Sequence, residues 1–363
     1  MLISVCLITK NEEKFLSDCL QSIREIADEI ILVDTGSTDR TVEIACAFGC
    51  RVIHHEWQND FSLARNTGIT AANGKWILCI DADERLSPLG NLREMLTHAS
   101  AEVGGYVIER HDIVKDPTSG KSEVNPVGIV RLFRRHPKIR YQGAVQERPG
   151  DSILAAGFQL GLATQIKLTH LVSALSQEVL TQKQHRYLKL LNLELTKTPD
   201  DAWFAYYRAK TLLYLKDQRS ALCDFKSVEQ SPTAPVFLKA SAYSMSAMAL
   251  AELGYLDKAM TAINLSLLLA PKQSLAHYVA AEILYQHGKY FQASQHYTVV
   301  RQSLSEVTAE GGLHGDLYIA TEKKSYKLGC CELAQGAIRN AFVHFRTGIK
   351  ANPKGNESEH ACN

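Results

Sequence analysis

Long apolar runs are missing from this 363-residue chain. A bilayer-spanning helix needs about 20 consecutive apolar residues, and no segment approaches that length, so no transmembrane segment is expected. The opening Met1 to Ile8 is apolar but has no basic leader and no small-residue cleavage site, so it reads as a first strand and not as a signal peptide. Charge of one sign is missing too. Forty Lys and Arg against 39 Asp and Glu leave a formal net charge of +1, which gives no global pull toward nucleic acid or an anionic membrane. Cys-x-x-Cys pairs are absent among the nine cysteines, and an odd number that includes the adjacent Cys330 and Cys331 does not suggest a disulfide framework. Free thiols in a reducing cytoplasm are the expectation. No strand is followed by Gly-x-Gly-x-x-Gly, which argues against a dinucleotide cofactor, and there is no Walker lysine loop.

What the chain does have is a run of acids, Asp81-Ala82-Asp83-Glu84, directly after the apolar Trp76 to Ile80. The apolar stretch reads as a buried strand. Two carboxylates at i and i+2 therefore leave its carboxyl end together, where open α/β sheets bind ligands. Carboxylates so close repel each other unless a cation or hydrogen-bond donors compensate. Mg²⁺ or Mn²⁺ compensates well, through one or two carboxylates plus phosphate oxygens. Alone, an Asp-x-Asp is more often a solvated turn, so its weight comes from its surroundings.

Those surroundings alternate strand and helix. Strands are predicted over 2–8, 29–33, 51–54 and 75–80. Helices are predicted over 12–27, with Phe15, Leu16, Cys19, Leu20 and Ile23 at helical spacing, over 38–48, capped by Ser37 or Thr38 and stopped by Gly49, and over 61–72. This order predicts a mostly parallel sheet with right-handed crossovers. Polar sets follow all four strands: Thr9 to Glu12, Asp34 to Asp39, Asp60 with Arg65, and Asp81 to Glu84. Each set alone could be an ordinary turn or helix cap. Four sets at one sheet edge point to a shared ligand.

The motifs Ser4 to Glu12, Glu29 to Thr41, Ala64-Arg65-Asn66 and Ile80 to Leu86 match, in order and spacing, the inverting glycosyltransferases of family 2. Residues 1 to about 170 thus resemble that family, which has the GT-A fold. The resemblance implies a nucleotide-sugar donor. Thr9 and Asn11 would line the base and ribose. Asp34 would accept from uracil N3–H, favouring a UDP-sugar. Arg65 would approach the base or diphosphate, and Asp81 the ribose or the metal's water shell. Asp83 would hold a Mg²⁺ or Mn²⁺ that bridges the phosphates. Val130 to Arg134 and Ile139 to Glu147 resemble the acceptor side. Many relatives read His-Glu where this chain has Gln146-Glu147, so no role is carried over to the first position. Glu147 is the candidate general base, the plain alternative being a salt bridge to a nearby arginine. His170 is a candidate metal ligand by the same resemblance, whereas His54 and His55 are read as structural. Arg131, Arg134, Arg135, Lys138 and Arg140 form a local basic cluster, either a solvated hairpin or a face for a diphosphate or anionic acceptor.

After residue 176 the pattern is helical only. Ala221, Ala259, Ala293 and Ala341 are each followed four residues on by Phe225, Ile263, Tyr297 and Phe345. Gly254, Gly288 and Gly336 lie five residues before their alanines, and Pro271 and Pro353 twelve after theirs. The spacing from Ala259 to Ala293 is 34, the tetratricopeptide period; the others are 38 and 48, so insertions are expected, one around Glu310-Gly311-Gly312. The expected organisation is an α/β GT-A domain over 1–175, tetratricopeptide-like helical repeats over 176–353, and a disordered polar tail over 354–363. The repeats' concave face suits a peptide or protein acceptor or a second copy of the chain; a plain brace is the other reading. With these repeats the chain resembles bacterial peptide S- or O-glycosyltransferases and lipopolysaccharide-core glycosyltransferases, so the acceptor is a peptide, protein or saccharide. Two other functions remain open: an NDP-sugar nucleotidyltransferase, although its Gly-rich loop is replaced here by Thr9-Lys10-Asn11-Glu12, and a non-catalytic interaction protein.

Overall fold

Six of the seven residues of Ile3–Thr9 (β1) are buried, as befits a parallel strand covered on both faces. In the computed structural model, which describes residues 1–115, 122–171, 176–301 and 321–351, β1 lies inside an eight-stranded sheet. The chain divides into two units, Met1–Leu180 and Thr181–Asn363.

In the first unit, β1 is flanked by Glu29–Asp34 (β2) and Trp76–Cys79 (β4), and β2 by Arg51–His54 (β3), all parallel. Leu16–Ile23 (α1), Thr41–Ala47 (α2) and Phe61–Ala71 (α3) make the crossovers. The sheet then changes character. Ser122–Arg134 (β7) pairs antiparallel with β4 and with Val103–Lys115 (β6). Gln159–His170 (β8) pairs parallel with β6 and antiparallel with Glu84–Pro88 (β5). The order is β3-β2-β1-β4-β7-β6-β8-β5. The sheet is therefore mixed, parallel in the half that the alternating pattern covered and largely antiparallel beyond β4. Two short helices, Leu92–Thr97 (α4) and Gly150–Ala155 (α5), complete the unit.

Two helices are shorter than predicted. α1 runs from Leu16 to Ile23, and the amides of Glu12 and Glu13 before it donate to Thr41 Oγ1 and Asp39 Oδ2 in the neighbouring loop. α2 begins at Thr41, not Thr38; the Thr38 amide donates to Asn11 Oδ1, and Asp39 Oδ1 receives the Thr41 amide. The apolar spacing still works: Leu16, Cys19, Leu20 and Ile23 are all buried and join Val5, Leu7, Leu32 and Trp76 in the core.

The second unit is helical. Among the described residues, Gln177–Lys197 (α6) leads into four antiparallel pairs: Ala202–Tyr214 with Gln218–Gln230 (α7, α8), Val236–Glu252 with Leu256–Leu269 (α9, α10), Ser274–Gln286 with Tyr290–Val299 (α11, α12), and Thr321–Ala334 with Ile338–Ala351 (α13, α14). Ala221, Ala259, Ala293 and Ala341 each sit on the second helix of a pair and are buried, as are Phe225, Ile263, Tyr297 and Phe345. The repeat pattern thus marks the inward stripe of every second helix. Between the helices, Gly254, Gly288 and Gly336 adopt φ of +82°, +72° and +77°. Each closes the preceding helix with paired bonds such as Gly254 N–H to Ala251 O and Tyr255 N–H to Leu250 O, a Schellman turn. The insertion around Glu310, Pro353 and the tail from Lys354 lie outside the described residues.

Candidate active site

Strand register brings the carboxyl ends of the parallel strands level: Thr9 beside Asp34, Asp34 beside His54, and Cys6 beside Cys79, two residues short of Asp81. At one side the loops after β1 and β2 are laced together. Thr38 N–H donates to Asn11 Oδ1 (2.8 Å), Asn11 N–H to Ser37 Oγ (2.9 Å), Glu12 N–H to Thr41 Oγ1 (2.7 Å), and Arg40 N–H to Glu13 Oε2 (3.1 Å). Asn11 takes a left-handed φ of +58° to do so. Asp34 is buried, and its carboxylate accepts the amides of Gly36 and Ser37 at 3.2 Å. The Thr9 carbonyl accepts from the Thr35 amide and hydroxyl, while Thr9 Oγ1 is buried with no hydrogen-bond partner among the described residues.

On the other side of β1 lies a chain of alternating charges. Arg65, on the buried face of α3 with Ala64, Gly68 and Ile69, donates through Nε to Glu147 Oε1 (2.7 Å) and through Nη2 to Asp81 Oδ1 (2.9 Å). Glu147 is brought there because α3 and the segment before it are bound reciprocally, Asn66 to the Tyr141 carbonyl and the Tyr141 amide to Asn66. The guanidinium of Arg65 also lies over the Tyr141 ring, and its Nη1 is buried without a partner among the described residues. Asp81 Oδ2 receives Arg131 Nη2 at 2.6 Å. Arg131 is 3.7 Å from the fully buried Glu84, which Arg110 approaches at 3.4 Å. Arg110 pairs with Asp112, Asp112 with His170 (2.8 Å), and His170 Nε2 with Asp83 Oδ2 (3.3 Å).

The charges tune one another. Burial alone would raise the Asp81 pKa, but Arg131 and Arg65 hold it well below the usual carboxylate range. Burial would loosen the proton of Arg65, yet Asp81, and Glu147 after it, hold it more tightly than in an ordinary arginine. For His170, burial favours the neutral ring, but the bonds to Asp112 and Asp83 win and raise its pKa to about 9.

Asp81, Arg65 and Glu147 are thus in direct contact, Asp83 and His170 face each other, and Thr9, Asn11 and Asp34 form the rim on the neighbouring strands. The basic cluster does not act as one body: Arg135 and Lys138 are exposed, whereas Arg131 is buried and Arg134 and Arg140 are half-buried. Arg131 alone reaches the site. Arg134 lies over the Trp76 ring and donates to the Val103 carbonyl, Arg135 donates to the Gly74 carbonyl, and Arg140 to those of His136 and Ile139. Arg110, Asp112 and Tyr141 were not foreseen as site residues. The signal for Arg110 and Asp112 in the sequence is charge inside a strand, Glu109-Arg110-His111-Asp112; Tyr141 carries none. Among the described residues, no group of three or more His, Cys, Asp or Glu gathers as a metal cage.

Residues 4–162 match the family model described as glycosyl transferase family 2, so the first unit carries a family 2 domain. A TPR repeat-containing protein of Synechococcus elongatus is 38% identical over 153 residues, 42% of this chain and 36% of that protein. The SPbeta prophage-derived glycosyltransferase SunS of Bacillus subtilis is 28% identical over 224 residues, 59% of this chain and 50% of that one. The chain therefore spans half or less of the length of these curated relatives. The crystal structure of S. aureus TarS 1-349 in complex with UDP-GlcNAc covers 72% of this chain and 90% of its own at 16% identity, with a TM-score of 0.37, a likeness too loose to carry chemistry. No helix among the described residues is long and apolar enough to cross a membrane.

Proposed function

We propose that the protein is an inverting glycosyltransferase that moves a sugar from a UDP-sugar to a peptide, protein or saccharide acceptor, with a divalent metal ion. The observation that carries this reading is the meeting, at one sheet edge of a family 2 domain, of the Arg65–Asp81–Arg131 trio with the facing pair Asp83 and His170. Two further features support a ligand there: among the described residues, Thr9 Oγ1 and Arg65 Nη1 are buried polar atoms without hydrogen-bond partners. Such atoms cost free energy until something bonds to them.

The residues fit a divalent ion. Two ligand atoms about 2.1 Å from one octahedral ion, at a right angle, lie about 3 Å apart. His170 Nε2 and Asp83 Oδ2 are 3.3 Å apart, and an ion would take the place of the proton between them. Asp83 and His170 would hold the ion, and an imidazole ligand would favour Mn²⁺ over Mg²⁺. The ion's chemistry would be to neutralise the departing diphosphate. Arg65 adds a fixed positive charge beside it. Asp34 and Asn11 bind base and ribose. Glu147, tied to Arg65 through Oε1, takes the proton of the acceptor hydroxyl or thiol as that atom attacks the anomeric carbon in line with the leaving UDP. The helical repeats recruit the acceptor. Free cysteines throughout the described residues suit a reducing cytoplasm.

The test is to incubate the protein with UDP-sugars and Mn²⁺ and follow the release of UDP. Asp83→Ala is expected to abolish release while keeping the melting temperature. Glu147→Gln is expected to keep UDP affinity and lower transfer by roughly 10²–10⁴-fold. Formation of UTP and sugar 1-phosphate on addition of pyrophosphate, with no release of UDP, or full activity in Asp83→Ala, would sink the reading.

A further inference from the structure

β6 places a second row of side chains behind His170. Arg110 and Asp112 lie two residues apart and so share one face of the strand. Register sets Asp112 beside His170 of β8, and His170 beside Glu84 of β5. His170 Nδ1 donates to Asp112 Oδ1 at 2.8 Å. An imidazole whose Nδ1 proton is committed to a carboxylate offers its other nitrogen outward, with a fixed ring plane and raised basicity. That other nitrogen, Nε2, is the atom facing Asp83.

Asp112 is itself held. Arg110 Nε lies 2.8 Å from its Oδ1, and Arg110 Nη2 donates to its Oδ2 at 3.1 Å. Arg110 Nη1 reaches Glu84 Oε1 at 3.4 Å, and Glu84 Oε2 accepts the Asp81 amide at 3.0 Å. The row therefore runs from behind the histidine back to the backbone that starts the Asp-x-Asp turn. Salt bridges that merely pinned β6 to its neighbours would need neither the Nδ1 bond nor a tie to that turn.

We propose that Asp112 is a positioning residue: it fixes the tautomer and ring orientation of His170 so that Nε2 is presented with Asp83 to a divalent cation, and Arg110 holds Asp112 in place. This rests on the metal reading given above. The test measures Mn²⁺ affinity of the full chain with UDP by titration calorimetry, alongside UDP affinity without metal and the melting temperature. His170→Ala establishes whether the histidine binds metal. Asp112→Ala is expected to weaken Mn²⁺ binding about 10- to 100-fold and to leave metal-free UDP affinity unchanged. Asp112→Asn, whose amide oxygen still accepts from Nδ1 but carries no charge, is expected to lose less, roughly 3- to 10-fold, and it carries the test should the alanine variant fail to fold. A His170→Ala loss with unchanged Mn²⁺ affinity in Asp112→Ala, or in Asp112→Asn if only that folds, overturns the positioning role and leaves the metal reading standing. Unchanged affinity in His170→Ala overturns the metal reading and the role with it. A loss of UDP affinity equal to that of Mn²⁺ marks general damage and overturns the positioning role too.

Discussion

Arg65 is only 6% exposed and satisfies two carboxylates at once, Asp81 and Glu147. Removing such a residue costs more than the contacts it makes, because its partners are left as uncompensated charges. Arg65→Met keeps the length of the side chain and most of its apolar contact. It is expected to lower unfolding free energy by about 3–5 kcal/mol at neutral pH, read from urea denaturation. The deficit has a pH signature. Arg131 and Arg65 depress the folded-state pKa of Asp81 below its ordinary 3.8, so the stabilisation is complete above that value and fades as pH falls through the folded one. The variant lacks part of it, so its deficit should shrink below about pH 4; a deficit independent of pH would mean packing and not charge. Asp81 and Asp83, next to a strand end, and Arg65, inside α3, were picked out from sequence by their motifs, and the structure brings them close together. Arg131, Arg110 and Asp112 were not, because they come from β6 and β7, and only pairing across the sheet shows which face of a long strand meets the acids.

The helical pairs show how one backbone requirement is met by different residues. Three inter-helix turns use glycine at positive φ; in the first pair the same position is Lys216, with φ of +64° and the same paired bonds, Lys216 N–H to Leu213 O and Asp217 N–H to Leu212 O. A left-handed conformation costs an L-residue about 1–2 kcal/mol, part of which glycine returns through its freer unfolded chain. The Lys216 side chain is exposed, so little contact is lost with it. Lys216→Gly is expected to stabilise the helical unit by about 0.5–1 kcal/mol, measured by thermal unfolding followed by circular dichroism. No gain, or a loss, would show that the lysine makes a contact worth more than the strain. The glycines were visible in the sequence as punctuation and the lysine was not, since side-chain identity conceals a conformation that the turn imposes. The late starts of α1 and α2 were hidden likewise: local spacing favoured longer helices, and the bonds that lace the two preceding loops together join residues far apart in the sequence.

At the scale of the chain, the residues assigned to donor chemistry all precede residue 171, and the repeats follow. If the repeats recruit the acceptor, changes in them should alter acceptor use and nothing else. α7 carries a group suited to contact, with the rings of Trp203 and Tyr207 4.7 Å apart and Lys210 over the Tyr207 ring. Aromatic anchors at an interface are worth about 1–2 kcal/mol or more each. Tyr207→Ala is therefore expected to raise the acceptor KM about 5- to 30-fold with UDP-sugar hydrolysis unchanged. An unchanged KM across several such changes in the repeats would leave them as a brace or a self-association surface, and sedimentation at several concentrations would tell these apart.

The lacing of the loops after β1 and β2 has a consequence for recognition. A molecule arriving at that rim meets a surface assembled beforehand. Hardly any backbone freedom remains there to be frozen, so the entropic cost of docking falls on the visitor and not on the protein. The same stiffness means the rim cannot mould itself around a poor fit. If the rim receives the donor as proposed, a ligand of the wrong outline would be excluded by steric clash with backbone that cannot give way.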